Sequence, residues 1–304
     1  MVNTLQARSH PKLASKLAGF VALTKPRIIE LLLVTTLPTM VIAKHGIPSV
    51  GLMAATLGGG TLAAGGANAF NMVIDRDIDA VMHRTRNRPL VTGVVAPVEA
   101  FWFALGLEVA AFIELYEAVN LLSAVLAVCA TLFYVFIYTI WLKRTSTQNI
   151  VIGGAAGAVP VLVGWSAVTD RLELAPIVLF AIIFLWTPPH FWALAVRYSD
   201  DYRAADVPML PAVKSLAVTA RQIMLYSVAL WATSLIFVSV GHMGIVYTVS
   251  AVVLGAIFVW MALGLMRENT PKKAMKTFHY SITYLTLLFV AMGVDVLVGN
   301  HLKL

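Results

Sequence analysis

The chain has 304 residues, of which 60% are hydrophobic and only 12% are charged. This composition lies outside the range of soluble globular domains, and no basic–aromatic array accompanies the net charge of +7, which argues against a nucleic-acid partner. Apolar stretches of about 18–22 residues, the length that crosses a bilayer as a helix, recur along the chain. We therefore predict an all-α, polytopic membrane protein with the lipid bilayer as its solvent.

Nine apolar stretches are predicted to be transmembrane helices, the first of them short. In chain order they are Ile28–Ala43, Gly51–Phe70, Pro97–Tyr116, Leu121–Trp141, Ile150–Ala167, Ala175–Ala195, Ile223–Gly241, Ile245–Met266 and Phe278–Val298. The connecting segments are short, which favours one integral membrane domain over residues 28–298. A basic tail (1–27) precedes this domain and a short tail (299–304) follows it.

Lysine and arginine are distributed unevenly between the two sets of connecting segments. With nine spans, 19 of them fall on the side of the N-terminus, and only Lys44, Arg171 and Lys303 fall on the other side. Because cytoplasmic loops carry the excess of Lys and Arg, the N-terminus is predicted to be cytoplasmic and the C-terminus to lie outside.

The stretch NMVIDRDIDAVMHRTRNRPL (71–90) continues the second span and is unusually rich in charge. Asn71, Asp75 and Asp79 recur every four residues and so share one face of a helix, whereas Asp77 points elsewhere. Carboxylates at the C-terminal end of a membrane helix are unfavourable unless a cation offsets them.

Two interpretations of this stretch stay open on spacing alone. It is either a solvated loop whose arginines neutralise its acids, or a site for Mg²⁺, which binds oxygen ligands from a few carboxylates plus substrate phosphates. In the second case, Arg84 and Arg88 would complete a diphosphate site through forked hydrogen bonds. Lys143 and Arg144, after the fourth span, could also reach the diphosphate or could simply anchor the helix end.

A second acidic cluster, in RYSDDYRAADVPMLP after the sixth span, favours the metal site. The second and sixth spans run in the same direction, so Asp200 and Asp201 are expected on the same side of the membrane as the first cluster. Two such clusters suggest an internal repeat whose halves face a common cavity, opening at the cytoplasmic side, in which two Mg²⁺ ions could hold one diphosphate.

The pattern Asn71-x-x-x-Asp75-x-x-x-Asp79 resembles the first aspartate motif of the intramembrane (UbiA-type) prenyltransferases. The blocks WTPPHFWALA (Trp186–Ala195) and DYRAADVPMLP (Asp201–Pro211) are similar to those of the haem-farnesylating branch of this family. The second aspartate motif of the wider family spaces its acids four apart, whereas Asp200 and Asp201 are adjacent. Which oxygen of the second cluster binds metal therefore stays open.

The resemblance implies a multi-pass protein of the bacterial inner membrane. It implies transfer of the farnesyl group from farnesyl diphosphate to the vinyl group of haem B, with addition of water, to give haem O and diphosphate. The implied partners include a downstream haem enzyme or oxidase assembly. The implied cofactor is Mg²⁺, as two ions bridging the diphosphate. The predicted metal ligands are Asn71, Asp75, Asp79, Asp200 and Asp201, and Asp75, Asp79 and Asp201 are also the predicted catalytic residues.

Two further residues are candidates for contact with haem. His190 could ligate the haem iron or could be a hydrogen-bonded membrane histidine, and Trp186 could pack on the porphyrin or in the core. Pro188 and Pro189 are expected to interrupt the sixth span.

Two other functions are open alternatives. One is prenylation of an aromatic or quinone precursor such as 4-hydroxybenzoate, which the haem-type blocks disfavour. The other is secondary transport, which is disfavoured because transporter sites lie near the bilayer midplane, whereas both acidic clusters are predicted at span ends.

Overall fold

A computed structural model describes the backbone of residues 13–301 and the side chains of residues 15–26 and 34–299. The described part of the chain is helical and contains no strand. In chain order its elements are α1 (Leu13–Leu23), α2 (Pro26–Lys44), α3 (Val50–Ile74), α4 (Arg76–Val81), α5 (Pro97–Ala118), α6 (Leu121–Leu132), a π-helical segment (Phe133–Leu142), α7 (Lys143–Thr145), α8 (Asn149–Thr169), α9 (Leu174–Arg197), α10 (Ser199–Ala204), α11 (Leu210–Val213), α12 (Leu216–Val240), α13 (Ile245–Glu268) and α14 (Pro271–His301).

Among the described residues, seven helical segments are long and apolar enough to cross a membrane, which makes the chain a multi-pass membrane protein. One of them combines α6, the π-helical segment and α7 into a single stretch, and the other six are α3, α8, α9, α12, α13 and α14. These seven segments correspond to seven of the nine predicted spans. The other two predicted spans coincide with α2 and α5, which have 19 and 22 residues. Because α5 carries four glutamates, its apolar character is weaker, and these two spans stay predictions.

The predicted N-terminal tail contains a helix that the sequence analysis missed. Within α1, Leu23 is fully buried and packs with Ala69 of α3 and Ala104 of α5. Lys16 forms an ion pair with Glu99 at 2.5 Å. The remainder of the two predicted tails, residues 1–12 and 302–304, lies outside the described residues.

Small residues allow α3 and α5 to approach closely. A Cβ atom at Gly66 would lie 3.0 Å from the backbone carbonyl oxygen of Ala104 and 2.6 Å from a carboxylate oxygen of Glu108, so a larger residue would force these neighbours to move. Close packing of this kind, rather than a hydrophobic driving force, joins helices in lipid.

Helix α9 continues through Pro188 and Pro189 without interruption, so the predicted break is wrong. The φ angle of proline is compatible with a helix, although each proline removes its own backbone donor and its ring crowds the carbonyl four residues earlier. Helix α9 therefore reaches the acidic cluster in α10 as one continuous element, just as α3 leads to the first cluster.

Candidate active site

A cavity of about 390 Å³ opens among α2, α3, α6, the π-helical segment, α8 and α9. Its lining residues on α3 run from Thr56 to Asn71, which corresponds to about 22 Å along the helix axis at 1.5 Å per residue. Most of the wall is apolar, while one end carries Asn71, Asp79 and basic side chains. The cavity thus has an ionic end and a long apolar body.

Asn71, Asp75 and Asp79 meet at the ionic end and are almost completely buried. The Asn71 amide donates to the Asp75 carboxylate at 2.7 Å, and Asp75 lies where α3 ends and α4 begins. Backbone bonds from the Asp75 and Asp79 amides, each to the carbonyl four residues earlier, preserve the helical repeat across this junction. These buried side chains do not belong to a solvated loop.

Basic side chains neutralise both carboxylates. Lys143 pairs with Asp75, and Arg88 pairs with Asp79 at 2.5 Å. The second oxygen of Asp75, Oδ1, is buried and has no hydrogen-bond partner, although Arg144 Nη2 lies 3.7 Å away. The predicted acids are therefore paired with cations from the segment after the fourth predicted span and from the loop after α4.

Lys25 is a site residue that the sequence analysis missed. It lies between α1 and α2 with a φ of 52°, and its ammonium donates to the Asn71 amide oxygen at 2.9 Å. Burial, reinforced by the nearby charges of Arg88 and Lys143, lowers the pKa of Lys25 to about 7. The signal in the sequence was a Lys-Pro pair at the start of an apolar span, which is also common at membrane surfaces.

One acid of the second acidic cluster lies beside this end of the cavity, next to a residue of its wall. Asp201 accepts from the backbone N–H of Arg84 at 3.1 Å, and the neighbouring Tyr202 lines the cavity. Burial raises the pKa of Tyr202. A small hydrophobic cluster also joins the two acidic segments and contains Ile78, Met82 and Val207.

The structure does not bring Asp200 to the site, contrary to the predicted ligand set. Its side chain is 90% exposed and pairs with Arg203 at 2.8 Å. Successive residues on a helix project about 100° apart, so the adjacent Asp200 and Asp201 in α10 point in different directions and meet different partners.

Arg84 and Arg144, the two predicted diphosphate-binding arginines other than Arg88, occupy different environments. Arg84 lines the cavity, and its guanidinium lies 5.3 Å from the centre of the Tyr198 ring. Arg144 is not part of the cavity wall and instead makes two 2.8 Å hydrogen bonds to the carboxylate of Asp77. That fork lowers the pKa of Asp77 to about 2. Arg144 therefore binds the outer face of the acidic segment.

The π-helical segment supplies an aromatic wall next to the ionic end. Tyr134 and Tyr138 line the cavity and stack with ring centres 5.2 Å apart. Thr139 in the same segment accepts from the Asn71 amide at 3.2 Å. Helical segments of this type occur often at functional sites, and their position was not predictable from hydropathy.

Trp186 lines the cavity, whereas His190 is not part of its described wall. The two rings stack at 4.2 Å, and the Trp186 indole donates to the carbonyl of Ser281 at 2.7 Å. His190 Nδ1 lies 2.7 Å from the hydroxyl of Ser281, which donates its only proton to the carbonyl of Phe278. This hydrogen-bond pattern assigns the proton of the imidazole to Nδ1 and the lone pair to Nε2.

The described residues contain no group of three or more His, Cys, Asp or Glu side chains close enough to hold a metal ion. The oxygen atoms at the ionic end come instead from two carboxylates and one amide, with Asp201 nearby. Such a set suits a hard cation that keeps other oxygen ligands, as Mg²⁺ does with water and phosphate.

Comparison with known proteins identifies the family. The profile of the UbiA prenyltransferase family matches residues 32–290. The chain belongs to the UbiA prenyltransferase family. Among curated UbiA relatives, it is 55% identical over 296 residues to the protoheme IX farnesyltransferase of Pseudarthrobacter chlorophenolicus, covering 96% of this chain and 93% of the relative. It is 53% identical over 304 residues to that of Paenarthrobacter aurescens, covering 98% and 95%.

Solved structures of UbiA type share the fold. A digeranylgeranylglyceryl phosphate synthase superposes with a TM-score of 0.77 at 16% identity, covering 92% of this chain and 98% of that one. A UbiA homologue from Archaeoglobus fulgidus, bound to DMAPP and Mg²⁺, superposes with a TM-score of 0.64 at 14% identity, covering 90% and 99%. The UbiA fold, predicted from the aspartate motif, is thereby confirmed.

Proposed function

We propose that this chain transfers the farnesyl group of farnesyl diphosphate to a vinyl group of haem B, with addition of water, to give haem O and diphosphate. The observation that carries the acceptor is the similarity, at more than half identity over nearly the whole chain, to two protoheme IX farnesyltransferases. The cavity supports the donor, because its ionic end suits a diphosphate and its apolar body suits a polyprenyl chain.

The proposed cofactor is Mg²⁺, as two ions that bridge the diphosphate. Asn71, Asp75 and Asp79 would hold one ion, and Asp201 would contribute to the other. The buried Asp75 Oδ1, which has no hydrogen-bond partner, supports this assignment because such an oxygen has its lone pairs available. The binding of Mg²⁺ and DMAPP by the Archaeoglobus homologue also supports it. When bound, Mg²⁺ would offset the negative charge of the departing diphosphate.

The basic side chains at the ionic end are proposed to bind the diphosphate. Lys143 and Arg88 would turn their donors to phosphate oxygens once Asp75 and Asp79 ligate a cation. Lys25 lies on the same wall and would add a further donor. Arg84, also in the wall, would bind through its guanidinium, whereas the outward position of Arg144 favours an anchoring role.

The proposed reaction begins at the ionic end of the cavity. The bond between C1 of the farnesyl group and the diphosphate oxygen breaks, and its electron pair leaves with the diphosphate. The vinyl π electrons of haem then form the new bond to C1, and a cation remains on the carbon beside the porphyrin. Water adds its oxygen to that carbon, and the proton it loses goes to the diphosphate.

The neighbouring residues would make the allylic cation accessible to haem and inaccessible to bulk water. Tyr134 and Tyr138 present stacked aromatic faces close to Asn71, and aromatic faces stabilise cations in a desolvated site. The apolar body of the cavity keeps water from the cation until the carbon–carbon bond has formed.

Trp186 and His190 are the two residues proposed to contact haem, and different observations support each of them. The position of Trp186 in the cavity wall supports packing against the porphyrin. For His190, the free lone pair on Nε2 supports ligation of the iron, whereas its position outside the wall supports a purely hydrogen-bonded role.

The proposed topology has nine membrane crossings within an integral domain of residues 28–298. The N-terminus and the ionic end of the cavity would lie in the bacterial cytoplasm, because 19 of the 22 Lys and Arg residues fall on that side. Reporter tags at the N-terminus and in the turn between α13 and α14 should read as cytoplasmic, and a tag at Leu304 should read as external. A cytoplasmic Leu304 would contradict the count of nine.

The function is tested directly by the haem content of cells. Haem should be extracted from a bacterial strain that lacks haem O, with and without expression of this chain, and identified by mass. The proposal expects haem O only with expression. No observation favours an aromatic acceptor over haem, and membership of the prenyltransferase family argues against secondary transport.

A further inference from the structure

A second cavity, of about 380 Å³, forms a groove at the turn between α13 and α14. On α13 its wall includes Trp260, Gly264 and Arg267, which recur at helical spacing and so share one face. On α14 its wall includes Lys273 and Lys276, which are one turn apart. The groove follows α13 for about 10 Å and ends where both helices reach their charged residues.

The charged end of this groove is positive. Three basic side chains, Arg267, Lys273 and Lys276, face one carboxylate, that of Glu268. Lys273 pairs with Glu268 at 2.7 Å. Among the described residues, Arg267 and Lys276 have no acidic partner within 4.0 Å, so their charges are available to an anionic ligand.

The other end of the groove is apolar and faces the lipid. Trp260 is 72% exposed, and amphipathic tryptophan rings concentrate at the boundary between the acyl chains and the headgroups. Gly264 keeps the groove open, because the nearest atom to a side chain built there is the Lys273 ammonium at 4.0 Å. An acyl chain therefore has a channel that leads to the basic end.

We propose that this groove binds one anionic phospholipid. Its phosphate would lie between Arg267 and Lys276, and an acyl chain would follow Trp260 across Gly264. Charge complementarity carries the choice of lipid, since basic pockets between membrane helices bind acidic headgroups. The site is at the same end of the helices as the candidate active site and does not depend on the identity of the prenyl acceptor.

The test is native mass spectrometry of the purified full-length protein with phosphatidylglycerol or phosphatidylcholine. The wild type should retain one phosphatidylglycerol in preference to phosphatidylcholine. In the variant Arg267→Gln/Lys276→Gln, the ratio of phosphatidylglycerol affinity to phosphatidylcholine affinity should fall about 30-fold, at roughly 1 kcal/mol per basic residue. Gly264→Leu should displace the lipid without changing charge. The control Lys214→Gln/Arg221→Gln, which alters two exposed basic residues outside the groove, should bind as the wild type does.

Three results would overturn the proposal. Undiminished phosphatidylglycerol binding by both groove variants would mean that the lipid does not occupy the groove. An equal loss in the control would mean that only the overall charge of this surface matters. Dimers that Gly264→Leu abolishes, with no bound lipid in the wild type, would identify a second copy of the chain as the occupant.

Discussion

Replacement of Asp75 by asparagine preserves the size of the side chain and removes one negative charge from a position with no solvent exposure. Lys143, whose side chain is only 13% exposed, would then lose the carboxylate with which it pairs. Removal of one partner of a buried ion pair costs about 3–5 kcal/mol. We therefore expect Asp75→Asn to lower the free energy of unfolding by about that amount, and to abolish farnesyl transfer because a proposed metal ligand loses its charge.

Two assays separate these effects. Thermal unfolding in detergent reports stability, and farnesyl transfer per folded molecule reports the site. The matched control is Asp75→Asn/Lys143→Gln, which removes both charges of the pair. This double variant should recover most of the lost stability, because no unpaired charge stays buried, while transfer should remain absent.

Each half of this reasoning can fail separately. Normal transfer by Asp75→Asn would mean that the carboxylate holds no cation needed for turnover. A double variant as unstable as the single variant would refute the ion-pair argument, since the loss would then come from the asparagine itself.

The remaining predictions concern three other positions. Asp201→Asn should lower the rate of farnesyl transfer about tenfold or more, as measured by product formation. Replacement of the exposed Asp200 by asparagine should leave this rate within about twofold of the wild type. Equal losses in the two variants would contradict the different roles of the two acids. Asp295→Asn should lower the free energy of unfolding by about 1–3 kcal/mol and leave the specific activity unchanged, because the carboxylate accepts hydrogen bonds from backbone N–H groups at the start of α13, including that of Gly244. An unchanged melting temperature would contradict this prediction. His190→Ala should shift the Soret band of bound haem if Nε2 ligates the iron, and an unshifted band would assign the residue to hydrogen bonding.

The hydropathy pattern predicted the helices better than their ends. The second span is predicted to end at Phe70, because the polar Asn71 ends the apolar stretch. The helix itself, α3, continues through Asn71 to Ile74. The four-residue spacing of the acids correctly indicated one shared face. Their burial and their pairing with Lys143 were not predictable, because these depend on the fourth predicted span packing beside the second.

The errors have a common physical origin. Spacing cannot tell the environments of two adjacent aspartates apart, because these depend on how α10 docks; Asp200, a predicted ligand, lies exposed and pairs with Arg203. Lys25 was missed because a basic residue before a membrane helix usually contacts headgroups, whereas here its partly buried side chain lines the cavity and donates to Asn71. The π-helical segment leaves no trace in hydropathy, so its tyrosine wall became visible only in the folded chain.

The measurement that tests the central claim most directly is product formation by the purified protein. Haem B, farnesyl diphosphate and Mg²⁺ should yield a haem heavier by one farnesyl group plus water, and a chelator should stop its formation. The parallel reaction with 4-hydroxybenzoate should yield no prenylated product. Prenylation of 4-hydroxybenzoate with no conversion of haem B would contradict the account.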